Sequence, residues 1–80
     1  MVKVLFFATL KDRTGTRQAE FDLPEGTTVA QLKAMMVEKF PNLQGFLNHC
    51  LTAVNHNYQS DEHPIPERAE VAFFPPVSGG

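Results

Sequence analysis

Few residues in this 80-residue chain have the types and spacing that chemistry needs, and the most suggestive are the final two. The sequence ends in Gly79-Gly80, directly after the uncharged run Phe73-Phe74-Pro75-Pro76-Val77-Ser78. Glycine has no Cβ, so two in succession make a thin, pliable backbone that leaves the carboxylate of Gly80 unshielded. A carboxylate at neutral pH is ionised and a poor electrophile. It forms a new bond only after one oxygen has been converted into a leaving group. Small terminal residues are ordinarily frayed chain, but disordered tails are usually polar or charged, whereas this one is neutral and contains a proline pair. Extended from Pro75 to Gly80, it reaches about 18 Å at roughly 3.1 Å per residue. That length suits insertion into a neighbour's pocket while the globular body stays outside. Pro75 and Pro76 stiffen the root and reduce the entropy lost on insertion. The neutral residues avoid desolvating a charge in a narrow channel.

The rest of the chain offers little competing chemistry. It has no paired-carboxylate motif, no nucleophile elbow and no Gly-rich loop between strand and helix. Asp61, Glu62 and His63 are consecutive and read as solvated loop residues. His49, His56 and His63, together with Cys50, raise the question of a metal, but their spacing matches no zinc pattern. No metal site is expected. Cys50 is the single cysteine, so an intrachain disulfide is impossible. It reads as a small buried hydrophobe, in keeping with a reducing, cytoplasmic setting.

Composition narrows the classes further. The length suits one small domain near the lower limit for a self-sufficient core. The formal charge is −2, and Lys3, Lys11, Arg13, Arg17, Lys33, Lys39 and Arg68 form no run, so no nucleic-acid footprint is indicated. No apolar stretch approaches bilayer length. The opening Met1–Phe7 is too short, and too soon followed by charge, to read as a signal peptide.

The elements that must position the tail follow from periodicity. Alternation predicts a strand over 2–8, with Val2, Val4 and Phe6 on one face. Arg13-Thr14-Gly15-Thr16 predicts a turn, and 17–23 a second strand with Ala19, Phe21 and Leu23 inward, so that the pair forms a hairpin. Thr28 and Gln31 stand at capping-box spacing and open the main helix. Val29, Leu32, Met36 and Phe40 form its apolar stripe, Met35 lies at the margin, and Pro41 closes it. A short helical turn is expected at Leu43, Phe46 and Leu47, and a strand from Leu51 to Asn55. Asn55-His56-Asn57 reads as a turn, followed by an extended piece at Tyr58-Gln59 and a rigid connector at His63-Pro64-Ile65-Pro66. The last strand is 70–74, ended by prolines that cannot donate to a ladder. The outcome is an α+β layer, one main helix packed on one face of a mixed sheet, with the last strand able to lie beside the first. Residues 1–74 form the domain and 75–80 a flexible tail.

Strand parity adds a docking surface. Phe7 lies opposite Val4 and Phe6 in facing, and Phe74 opposite Val71 and Phe73. If the first and last strands are neighbours, both aromatics emerge on the helix-free face at the root of the tail, and Tyr58 can join them. Grouped exposed aromatics mark partner sites. The alternative is that Phe7 and Phe74 close a minor second core, because parity alone does not place a face.

These residues resemble a known family. MVKVLFFATL at 1–10, PEGTTVAQL at 24–32, Ala53-Val54-Asn55 and, above all, VAFFPPVSGG at 71–80 are similar to the small subunits of molybdopterin synthase, in order and across essentially the whole chain. The resemblance implies the β-grasp (ubiquitin-like) fold. It implies that Gly80 is adenylated by an E1-like adenylyltransferase using ATP and magnesium, then converted to a thiocarboxylate. The tail, Pro75, Pro76, Val77, Ser78, Gly79 and Gly80, would enter the large synthase subunit within a heterotetramer. There it would give its sulfur to precursor Z (cyclic pyranopterin monophosphate), forming the dithiolene of molybdopterin. The catalytic side chains would belong to the partner, and this chain would bind no cofactor and be no enzyme on its own. Phe7, Tyr58 and Phe74 correspond to the family's hydrophobic docking patch. Tyr58 stands where an aliphatic residue is common, and Arg68-Ala69-Glu70 where Gly-Asp-Glu is common.

Two readings share the activation chemistry: a ubiquitin-like modifier that joins Gly80 to lysines, and the sulfur carrier of thiamine synthesis. A third, a plain interaction module, leaves the tail inert.

Overall fold

The computed structural model describes residues 1–75. Pro76, Val77, Ser78, Gly79 and Gly80, on which most of the expected chemistry falls, lie outside the described residues.

Alternation builds the first strand, β1 (Val2–Phe6): Val2, Val4 and Phe6 are buried while Lys3 is exposed and Leu5 half-buried. It pairs antiparallel with β2 (Gln18–Phe21), Val2 opposite Phe21 and Leu5 opposite Gln18. Both strands are shorter than the sequence predicts, and the loop between them is a helix, α1 (Thr9–Thr14). The strand ends because Ala8 adopts φ 51° and ψ −124°, a turn conformation that redirects the chain. Leu10 is fully buried and ties α1 to the core. The expected turn at 13–16 is the end of this helix: Gly15, at φ 76°, donates its N–H to Lys11 O at 2.8 Å.

The main helix, α2 (Val29–Lys39), starts as predicted. Gln31 N–H donates to Thr28 Oγ1 at 3.3 Å and Thr28 N–H to Gln31 Oε1 at 2.9 Å. The remaining unpaired N–H groups of the first turn find a loop: Val29 donates to His63 O at 3.0 Å and Ala30 to Asp61 O at 2.9 Å. A Lys33–Asp61 ion pair of 2.8 Å straps the same loop to the helix. Val29, Leu32 and Met36 are buried, and Met35 is partly so, at the margin. After Pro41 the expected helical turn resolves into two 3₁₀ turns, Pro41–Leu43 and Leu47–His49, with Gly45 at φ 79° between them. Their inward residues are Leu43 and Leu47.

β3 (Leu51–Val54) and β4 (Asn57–Tyr58) form a tight hairpin. Asn55 and His56 are the two central residues, at φ 49° and 71°, the handedness that a two-residue hairpin turn requires. Asn55 is therefore turn rather than strand, and the extended piece begins one residue earlier than predicted. β5 (Glu70–Phe74) runs parallel to β1, Val4 opposite Val71, and antiparallel to β3, Ala53 opposite Ala72. The sheet order is β2-β1-β5-β3-β4. The expected mixed sheet with one principal helix on one face is thus the observed one. Just before β5, Arg68 has φ 63°, a conformation that favours glycine. This is the position where the resemblance leads one to expect Gly.

Candidate functional site

The register that buries one face of the sheet defines the other. Across the helix-free face, Leu5 lies opposite Ala72, Ala72 opposite Ala53, and Ala53 opposite Tyr58. At the next level toward the end of β5, Phe74 lies opposite Leu51. Phe7 follows β1 and stacks on Phe74, with ring centroids 5.1 Å apart and planes 8° from parallel. Tyr58 meets the same Phe74 ring edge-on at 6.4 Å and 68°. The structure therefore brings together Phe7 and Phe74, the two aromatics that strand parity singled out, and sets Tyr58 beside them.

The cluster is not sealed. Phe7 is 42% exposed, Leu51 48% and Tyr58 69%. Phe74, flanked on both sides, is half-buried. Four large apolar side chains without a charge among them form a contiguous patch, the kind of surface that marks a partner site. Leu51 is a member that sequence reasoning missed. Read along β3 alone it is one apolar strand residue among several; only the pairing of β3 with β5 sets it beside Phe74.

The patch lies where the chain leaves the sheet. Phe74 is the last residue of β5 and Pro75 follows it, half-buried. Because β1 and β5 are parallel, Phe7 reaches the same end. A cavity of about 610 Å³ sits at the opposite end, lined by Met1, Asp22, Pro24, Ile65 and Arg68 among others. It shares no lining residue with the aromatic patch.

Near the patch, Cys50 is buried and its Sγ donates to Phe46 O at 3.5 Å. Burial raises its thiol above the ordinary value of 9.0, and the nearby Lys33 charge offsets part of that rise. It packs as the small hydrophobe expected. His49 and His56 are exposed and His63 half-buried. Among the described residues no three His, Cys, Asp or Glu side chains converge as a metal site would require. No helix among them is long and apolar enough to cross a membrane.

A mixed sheet of this order, with one principal helix on one face, is the β-grasp, ubiquitin-like fold. The chain belongs to the ThiS family, whose model matches residues 4–80, and its full-length identities place it among the molybdopterin synthase sulfur carrier subunits. It is 39% identical over 82 residues to the molybdopterin synthase sulfur carrier subunit of Escherichia coli (strain K12), with 100% of both chains covered. The protein of the same description from Arabidopsis thaliana is 34% identical over 79 residues, covering 99% of this chain and 82% of the other. Among solved structures, SAMP1 from Haloferax volcanii superposes with a TM-score of 0.88 at 25% identity, covering 99% of this chain and 98% of that one. The family resemblance drawn from the sequence is borne out.

Proposed function

We propose that this chain is the sulfur carrier of a molybdopterin synthase and that its reactive group is the carboxylate of Gly80. The single observation that carries the reading is full-length identity to sulfur carrier subunits, 39% in the E. coli case. An unsealed aromatic patch at the point where the chain leaves the sheet supports it.

In this reading residues 1–74 are a rigid handle and 75–80 deliver the cargo. An E1-like activating enzyme, using ATP and magnesium, converts the Gly80 carboxylate to an acyl-adenylate with loss of pyrophosphate. A donor delivering sulfur at the sulfide level then attacks the acyl carbon, the acyl–phosphate bond breaks and AMP leaves, giving the thiocarboxylate. The large synthase subunit docks on Phe7, Leu51, Tyr58 and Phe74 and receives Pro75, Pro76, Val77, Ser78, Gly79 and Gly80 in its active site. A dithiolene contains two sulfur atoms, so each molybdopterin consumes two loaded carriers, in keeping with a heterotetramer holding two. The side chains that act on precursor Z belong to the large subunit. This chain contributes position and sulfur.

The likeness to SAMP1, from a group described as small archaeal modifier proteins, favours one further reading: a modifier that joins Gly80 to lysine amines. A thiamine-pathway carrier would share the same activation step. The deciding experiment supplies thiocarboxylated chain to the large subunit and precursor Z. Dithiolene formation supports the proposal, and one extra residue after Gly80 should abolish it without changing the fold. Full turnover by the extended chain, or lysine-linked conjugates as the main product in cells, would refute it.

A further inference from the structure

We infer that the hydroxyl of Tyr58 is met by a hydrogen-bond acceptor on the large subunit, and that this single atom helps the docking surface choose its partner. The inference rests on the proposed docking of that subunit to the aromatic patch. Tyr58 closes β4, a two-residue strand at the sheet edge whose pairing is to β3. Its cross-strand neighbour Ala53 is buried, and Phe74 meets its ring edge-on at 6.4 Å. The ring is thus supported on the patch, yet at 69% exposure Tyr58 is the most open large side chain there. Among the described residues its hydroxyl makes no hydrogen bond to this chain, and the two side chains set against it, Ala53 across the strand pair and Phe74 at its ring, carry no polar atom to offer one.

Water serves that hydroxyl while the chain is free. A partner that covers the patch displaces the water, and a buried hydroxyl left unpaired opposes binding. Docking that expels this water keeps the hydroxyl paired when the partner supplies a replacement acceptor, a backbone carbonyl or a carboxylate. Phenylalanine would fill the same apolar volume, so the hydroxyl is what distinguishes this surface from one that is merely hydrophobic. A carrier with an apolar residue here would leave the partner's acceptor stranded, and this is how polar pairs discriminate strongly between similar shapes.

Calorimetric titration of the full chain into the large subunit from the same organism tests this, with Tyr58→Phe, Tyr58→Leu and Phe74→Ala alongside. Tyr58→Phe should weaken binding about fivefold to tenfold, as loss of one interfacial hydrogen bond does. Tyr58→Leu should do no better, and both should unfold at the wild-type temperature. Equal or tighter binding by Tyr58→Phe, with binding by Phe74→Ala lost, overturns the hydroxyl's role and leaves the docking face standing. Wild-type binding by Phe74→Ala overturns the docking face, and the role of Tyr58 with it.

Discussion

Phe7 and Phe74 lie face to face across the parallel β1–β5 pair, with ring centroids 5.1 Å apart and planes 8° from parallel. Parallel pairing brings both residues to the same end of the sheet, where the chain runs on into Pro75. The opposite parity of their neighbours Phe6 and Phe73, exposed to 2% and 0%, sends those rings into the helix-side core. One strand pair therefore supplies the heart of the fold with one set of aromatics and an outward platform with the other.

The two sets should behave differently on truncation. Phe74→Ala should weaken binding to the large subunit by about 2 kcal/mol or more, as a central aromatic anchor does. Its effect on the isolated domain should be smaller, about 1 kcal/mol, because the ring is only half-buried. Calorimetry and urea unfolding measure the two quantities. A larger loss of stability than of binding would make Phe74 a core residue.

Ala8 offers a test of the unpredicted helix. Its φ of 51° and ψ of −124° suit glycine and strain any residue with a Cβ. Ala8→Gly should relieve that strain, partly offset by the greater freedom glycine has when unfolded. The net expectation is a gain of about 1 kcal/mol in urea unfolding. A loss would mean that the turn into α1 is not strained.

Cys50 makes a pH prediction. Burial raises its folded thiol above the ordinary value of 9.0, so the folded state holds the proton more tightly than the unfolded one. The stability this provides is fully present below the unfolded value of 9.0 and is lost as pH rises from there through the folded value. Cys50→Ala should flatten the alkaline fall in stability, and native Cys50 should resist iodoacetamide until urea unfolds the chain. Rapid alkylation of the native protein would contradict its burial.

Much of this was legible in the sequence because it depends on local rules. The capping box needs only Thr28 and Gln31 three residues apart, and both of its hydrogen bonds form. Alternation alone separated Phe6 from Phe7 and Phe73 from Phe74. What the sequence concealed depends on tertiary context. α1 has six residues, one of them buried, and its N-cap makes no side-chain hydrogen bond, so neither periodicity nor capping announced it. Leu51 joins the patch through strand register, which a single chain read in order does not display. Arg68 at φ 63° breaks the expected link between positive φ and glycine. Thr52 carries a buried Oγ1 without a partner among the described residues, opposite Phe73 in a row otherwise apolar, a burial that only the pairing of β3 with β5 reveals.

The most direct test of the central claim is the mass of the C-terminal peptide after the full chain is incubated with the activating enzyme, ATP, magnesium and a sulfur donor. One oxygen should be replaced by sulfur, and fragmentation should place the change on Gly80. The choice of peptide matters because methionine oxidation adds nearly the same mass, and Met1, Met35 and Met36 all lie outside the C-terminal peptide. Sulfur on Gly80, lost again on incubation with the large subunit and precursor Z, is the predicted result. A C-terminal peptide that keeps both oxygens under conditions where the activating enzyme consumes ATP would contradict it.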